Sequence, residues 1–143
     1  MKASPILLVE DDINDVFFFE RAVKKAAISH QVQIARDGLE AIHYLSGEGE
    51  FADREKYPLP CLIVLDLNMP RKNGFEVLEW LQQTEPLNNL PAVILTSSQA
   101  ERDSQQAHDL GARAYFVKPS DPSKLVELIN QMTKDCIGTQ RKS

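Results

Sequence analysis

Apolar residues in this chain fall into two kinds of segment that take turns. Short continuous runs, Pro5 to Glu10 (PILLVE), Cys61 to Leu65 (CLIVL), Pro91 to Thr96 (PAVILT) and Ala114 to Val117 (AYFV), have the length and β-branched content of strands, the longer ones buried on both faces. Val32 to Arg36 alternates instead, as an outer strand does. The stretches between have helical spacing. Ile13 to Ala27 places Val16, Phe19, Val23 and Ala26 on one face, and the last segment does the same with Leu125, Leu128, Ile129 and Met132 after an Asp121-Pro122 start. Capping pairs open the others: Asp37 with Glu40 for a helix through Leu45, Asn73 with Glu76 for one ending near Thr84-Glu85-Pro86, and Ser98 with Glu101 for one through Leu110, stopped by Gly111. Five strand–helix units in sequence predict an α/β architecture, a doubly wound five-stranded parallel sheet with right-handed crossovers.

Three segments stand apart from this pattern. Ser46 to Pro60 (SGEGEFADREKYPLP) is polar and longer than most connections, so it is expected as a surface insertion. The helix from Gln99 to Leu110 has only Ala100, Ala107 and Leu110 to anchor it. Phe17 and Phe18 fall off the inner face of the first helix, and Phe18, opposite that face, is a candidate partner contact.

The chain has 143 residues, 43% of them hydrophobic, which suits one domain: residues 1–135, followed by a short polar C-terminal tail at 136–143. A net charge of -5 argues against a nucleic-acid surface and for acidic sites that bind cations. Cys61 and Cys136 form neither a disulfide framework nor a zinc-ligand spacing, which fits the cytoplasm. The run Ile6 to Val9 is too short for a signal peptide or a membrane span, so no membrane partner is expected. His30, His43 and His108 have no ligand or triad spacing.

The chemistry lies where strands end. Glu10-Asp11-Asp12, Asp66, Thr96-Ser97 and Lys118 each close a predicted strand, and in an open α/β sheet that edge is the ligand crevice. Asp12, three residues before Asp15, reads as a helix N-cap. Glu10, Asp11 and Asp66 then converge, and three carboxylates are costly without a cation; all-oxygen ligands point to magnesium, or manganese in its place. Such a crevice handles a phosphoryl group, with Asp66 as nucleophile and Thr96 and Lys118 on the phosphoryl oxygens.

ILLVEDD, LDLNMP with the later NG, LTSS and GARAYFVKP occur in the order they have in the receiver domain of bacterial two-component response regulators. The chain resembles that family over almost its whole length. The resemblance implies the flavodoxin-like (βα)5 receiver fold, with Asp66 as phospho-acceptor, Glu10 and Asp11 as the acidic pair, and Asn68 lending its backbone carbonyl to the metal shell. It makes Thr96 the switch hydroxyl, Tyr115 the switch aromatic and Lys118 the invariant lysine, and implies a cis Lys118-Pro119 peptide. The insertion and the pattern Asp15, Arg21-Ala22, Lys24-Lys25 resemble stand-alone receivers paired with cyanobacterial phytochromes.

These implications describe a single-domain regulator that takes a phosphoryl group from a sensor histidine kinase, a phytochrome by the narrower resemblance. Output is expected through an unidentified protein partner and through a homodimer on the face of the fourth helix, fifth strand and fifth helix. The alternative is a magnesium-dependent phosphotransferase of the haloacid-dehalogenase type, which needs a second Asp two residues beyond the nucleophile. Asn68 stands there, so the general acid is missing and an enzyme is disfavoured. A scaffold that never takes phosphate is argued against by the complete set of acids, hydroxyl and lysine.

Overall fold

The computed structural model describes residues 4–136, so residues 137–143 of the expected tail lie outside the described residues. Strands β1 (Ile6–Val9), β2 (Val32–Ala35), β3 (Leu62–Leu65), β4 (Ala92–Thr96) and β5 (Ala114–Val117) form one parallel sheet in the order β2-β1-β3-β4-β5. Helices α1 (Ile13–Lys25), α2 (Gly38–Ser46), α3 (Gly74–Gln82), α4 (Glu101–Asp109) and α5 (Pro122–Cys136) complete the units. Every residue of β1, β3 and β4 is buried, as their unbroken apolar runs require, whereas β2 and β5 are edge strands with mostly half-buried residues.

The sheet separates two apolar layers. Side chains such as Leu8, Val64 and Leu95 point to Phe19 and Val23 of α1 and to Ile129 and Met132 of α5. On the other face Leu7, Ile63 and Ile94 meet Tyr44 and Leu45 of α2, Val77 and Leu78 of α3, and Ala107 of α4. Each fully buried Val, Leu, Ile, Phe or Met side chain in these layers contributes on the order of 1.5 to 3 kcal/mol. Phe17 and Phe18 stay outside, 56% and 47% exposed, their rings edge to face.

The caps follow the sequence at two helices and depart from it at two others. Asp12 accepts from the N–H groups of Asn14 and Asp15, and Asn73 and Glu76 form a full capping box. Asp37 accepts from Glu40 N–H, but the Glu40 carboxylate reaches back one residue further, to Arg36 N–H. The box expected between Ser98 and Glu101 does not form. Ala100 is the N-cap of α4 with no side-chain bond; Ser98 Oγ instead accepts from Ala100 N–H and donates to Asp103 Oδ2 at 2.6 Å. A nearby carboxylate competes for the serine, and α4 starts later than its spacing suggested.

The insertion is more than a surface loop. Gly49–Ala52 makes a 3-10 turn, and Phe51 and Tyr57 pack on the buried ring of Tyr44, whose hydroxyl donates to Pro58 O at 2.8 Å. Arg54 donates to the carbonyls of Tyr44, Leu45 and Tyr57 at 2.8 to 3.1 Å. A cation on the last carbonyls of α2 satisfies acceptors that the helix cannot, and complements its dipole.

Candidate functional site

Parallel register carries the acids to one place. Val9 pairs with Leu65, so Glu10 and Asp66 leave adjacent strands at the same level, and Asp11 follows in the turn before α1. One carboxylate oxygen from each of Glu10, Asp11 and Asp66 lies within 4.8 Å of the others. Glu10 and Asp66 are buried, at 3% and 7% exposure, while Asp11 faces solvent. Two acids fixed at the floor and one at the rim fit a divalent cation with oxygen ligands that keeps part of its water.

Thr96 pairs with Val117, so Lys118 lies one residue past the end of the β4–β5 ladder. Its Nζ donates to Glu10 Oε1 at 2.8 Å, Asp15 Oδ2 at 2.7 Å and Asp66 Oδ2 at 2.9 Å. Burial works to lower the Lys118 ammonium, but the hydrogen bonds it donates to Asp15, Glu10 and Asp66 outweigh it and hold it above its ordinary value. Burial pushes the Glu10 carboxyl up to about 7 against the pull of its bond to Lys118, and the neighbouring Asp66 charge adds to the rise. The acids thus repel one another and are held together by a single ammonium.

Lys118-Pro119 is trans, a correction to the expected cis peptide; the cis bond among the described residues is Glu85-Pro86. Trans is the favoured isomer by about 0.5 to 1 kcal/mol for such a bond, and Lys118 in this form reaches all three acids while its N–H bonds Thr96 O.

Other expected residues flank this cluster. Thr96 is fully buried and its Oγ1 accepts from Ser98 N–H at 3.4 Å. Tyr115 is half-buried against the α2–α3–α4 layer, and its hydroxyl donates to Ser98 O at 2.9 Å. Both therefore converge on the loop between β4 and α4. Asn68 has an exposed side chain, and its N–H donates to Asp66 Oδ1 at 3.3 Å. A cavity of about 430 Å³ opens beside Lys118 between α1 and α5, with Phe18, Leu125 and Val126 in its wall.

Asp15 is the residue that sequence reasoning underrated. It lies in the first turn of α1, three residues after the Asp12 cap, and its spacing gives no sign that its carboxylate turns back to the Lys118 ammonium at the sheet edge. Close packing fixes the backbone after Asp66. A Cβ on Gly74 would stand 2.5 Å from Asp66 O, so only glycine lets α3 start this near the acid.

A family model for the response regulator receiver domain matches residues 6–130. The chain belongs to that family. The response regulator Rcp1 of Synechocystis sp. (strain ATCC 27184 / PCC 6803 / Kazusa) is 38% identical over 124 residues, covering 87% of this chain and 82% of that protein. The crystal structure of the phosphorylated cyanobacterial phytochrome response regulator RcpA superposes with a TM-score of 0.86 at 34% identity, over 95% of both chains. That of the Mn2+-bound form of Rcp1 does so with a TM-score of 0.81 at 36% identity, over 92% of this chain and 93% of that one. The receiver fold and the response-regulator reading stand on these matches, and the haloacid-dehalogenase alternative has no support among them. Among the described residues of this receiver no helix is long and apolar enough to cross a membrane.

Proposed function

We propose that this receiver accepts a phosphoryl group on Asp66 from the phosphohistidine of a sensor kinase, with a magnesium or manganese ion held by Glu10, Asp11, Asp66 and the backbone carbonyl of Asn68. The observation that carries the reading is the convergence of three carboxylate oxygens within 4.8 Å, two of them on residues, Glu10 and Asp66, that Lys118 also grips. When bound, the cation supplies the positive charge that lets an anionic donor approach three acids.

The chain's own groups do the rest. An Asp66 carboxylate oxygen attacks phosphorus in line, the P–N bond to the donor imidazole breaks, and the imidazole nitrogen keeps the electron pair and takes a proton. Lys118, released from Asp66 and Glu10 as they turn to new partners, places its ammonium on a phosphoryl oxygen. Thr96, two residues beyond the Ile94 that pairs with Leu65, donates its hydroxyl to another once its bond with the Ser98 amide loosens. Asn68 in place of a second Asp offers no general acid, so the domain turns over its own acyl phosphate and acts as a switch rather than an enzyme on a small substrate.

Movement of Thr96 draws on the loop that Tyr115 holds by its hydroxyl, which couples the site to α4 and β5. Output then runs through the α4–β5–α5 face, to a homodimer and to a downstream protein. The donor is a phytochrome-type kinase, a choice supported by the name of the relative RcpA, a phytochrome response regulator, and by the chain's likeness to it. We place the protein in the cytoplasm beside that kinase, consistent with the free thiol of Cys61, and take residues 1–135 as the receiver and 136–143 as a tail.

Incubation with a small-molecule phosphodonor and Mg2+, followed by intact mass and mapping of the labelled residue, tests the reading. One phosphoryl group on Asp66, absent in Asp66→Asn and in chelator, is expected. Labelling that survives either change overturns it.

A further inference from the structure

The loop from Asp66 to α3 is gripped from outside by a neighbouring helix. Asp37, the N-cap of α2, is buried at 6% exposure and uses only one carboxylate oxygen for its cap. The other oxygen, Oδ2, receives the Arg71 guanidinium, with Nε donating at 2.8 Å and a second guanidinium nitrogen also in contact. One residue along, Gly38 N–H donates to Lys72 O at 3.0 Å. A Cβ on Gly38 would stand 2.1 Å from that oxygen, so no other residue allows this approach.

Arg71 is moreover held at φ +66, a left-handed conformation that costs a non-glycine residue on the order of 1 kcal/mol. Such a conformation persists where its surroundings over-determine it, and here the ion pair and the Gly38–Lys72 bond do so from both sides. Three residues upstream of Arg71 stands Asn68, whose N–H bonds the Asp66 carboxylate.

We propose that Asp37 and Arg71 are positioning residues for the cation site: the clamp between α2 and the β3–α3 loop holds Asp66 and the Asn68 backbone in the geometry that binds the ion. Neither touches the reacting atoms. The inference rests on the cation site proposed above and adds the element that presets it. Partners hydrogen-bonded directly to metal ligands are worth about 10- to 100-fold in affinity, and the clamp, acting one step removed through the loop backbone, is assigned the lower end of that range.

Arg71→Gly is the decisive variant, because glycine accepts the left-handed backbone and so keeps the fold while losing the guanidinium. Titration with Mg2+, followed by amide NMR, is expected to give binding about tenfold weaker than wild type. In the metal-free protein, hydrogen exchange at the Asn68 amide is expected to accelerate while the α3 amides stay unchanged, a readout that no loss of global stability would produce. Asp37→Asn, which keeps the cap oxygen, should reproduce both effects, and Asp37→Asn combined with Arg71→Gly should add nothing further. Unchanged Mg2+ affinity in Arg71→Gly overturns the inference. A wild-type chain that binds no Mg2+ overturns the functional reading instead, and the clamp's role with it.

Discussion

Helices α2 and α4 are both nine residues long and lie on the same face of the sheet, yet the chain treats them differently. α2 buries Ala41, Ile42, Tyr44 and Leu45, starts on a side-chain cap, and ends on Gly47 in the left-handed region with Arg54 on its last carbonyls. Its first turn also grips the loop that follows Asp66. α4 buries Ala107 alone, begins on Ala100 without a side-chain cap, and borders the loop that carries Thr96 and Ser98. Little apolar area and an uncapped start make an element cheap to displace; many anchors make one expensive. The two halves of the site therefore differ in kind. The acids are set against a rigid neighbour, whereas Thr96 and Tyr115 meet a neighbour that moves at low cost.

The largest test of this contrast removes the α2 anchor. Tyr44→Ala empties a fully buried site and takes the donor from Pro58 O, so urea denaturation should register a loss of about 3 to 5 kcal/mol. A loss below about 1 kcal/mol would mean that the inserted segment is not packed as a layer of the core.

Arg54→Ala should cost about 1 to 3 kcal/mol, because it strips a charged donor from three carbonyls at once. Limited proteolysis should also cut residues 47–57 sooner than in wild type. Equal resistance would leave the aromatic contacts of Phe51 and Tyr57 and the Tyr44–Pro58 hydrogen bond as the fastening that matters.

A pH experiment sharpens the same point. Asp37 is partly desolvated, which raises its pKa, but the Glu40 amide and Arg71 outweigh this and hold it below the ordinary 3.8. A depressed carboxylate contributes stability that is fully present above that value and is lost as pH falls through the lower folded one. Wild type should thus lose more stability than Asp37→Asn between about pH 5 and pH 2.5. Parallel losses would show that the ion pair does not stabilise the fold.

On the weak side the effects are small. Tyr115→Phe deletes one hydrogen bond to Ser98 O and should cost only about 0.5 to 1.5 kcal/mol, with faster amide exchange confined to the β4–α4 loop and the first turn of α4. If α2 amides exchange faster as well, the two helices are one cooperative unit and the contrast fails.

Much of the molecule is legible in its amino-acid sequence. Unbroken apolar runs and helical spacing are local signals, so the strand–helix alternation, the edge position of β2, the Asp12 cap and the Asn73–Glu76 box all followed from neighbours in sequence. So did the strand-end placement of Glu10, Asp66, Thr96 and Lys118, since a parallel sheet delivers every strand terminus to one edge. What the sequence could not decide were pairings between distant groups. Ser98 was expected to cap α4 with Glu101, but it found Asp103. Lys118, read as a phosphoryl ligand, rests across Glu10, Asp15 and Asp66 from three different segments. The polar insertion looked like solvated surface until Tyr44, Phe51, Tyr57 and Arg54 met. Arg71 in a turn-rich loop gave no sign that Asp37, 34 residues earlier, would hold it. Local propensity and spacing are written along the chain, whereas a salt bridge or a cap by a remote side chain exists only after the sheet has assembled and burial has removed water as the competing partner.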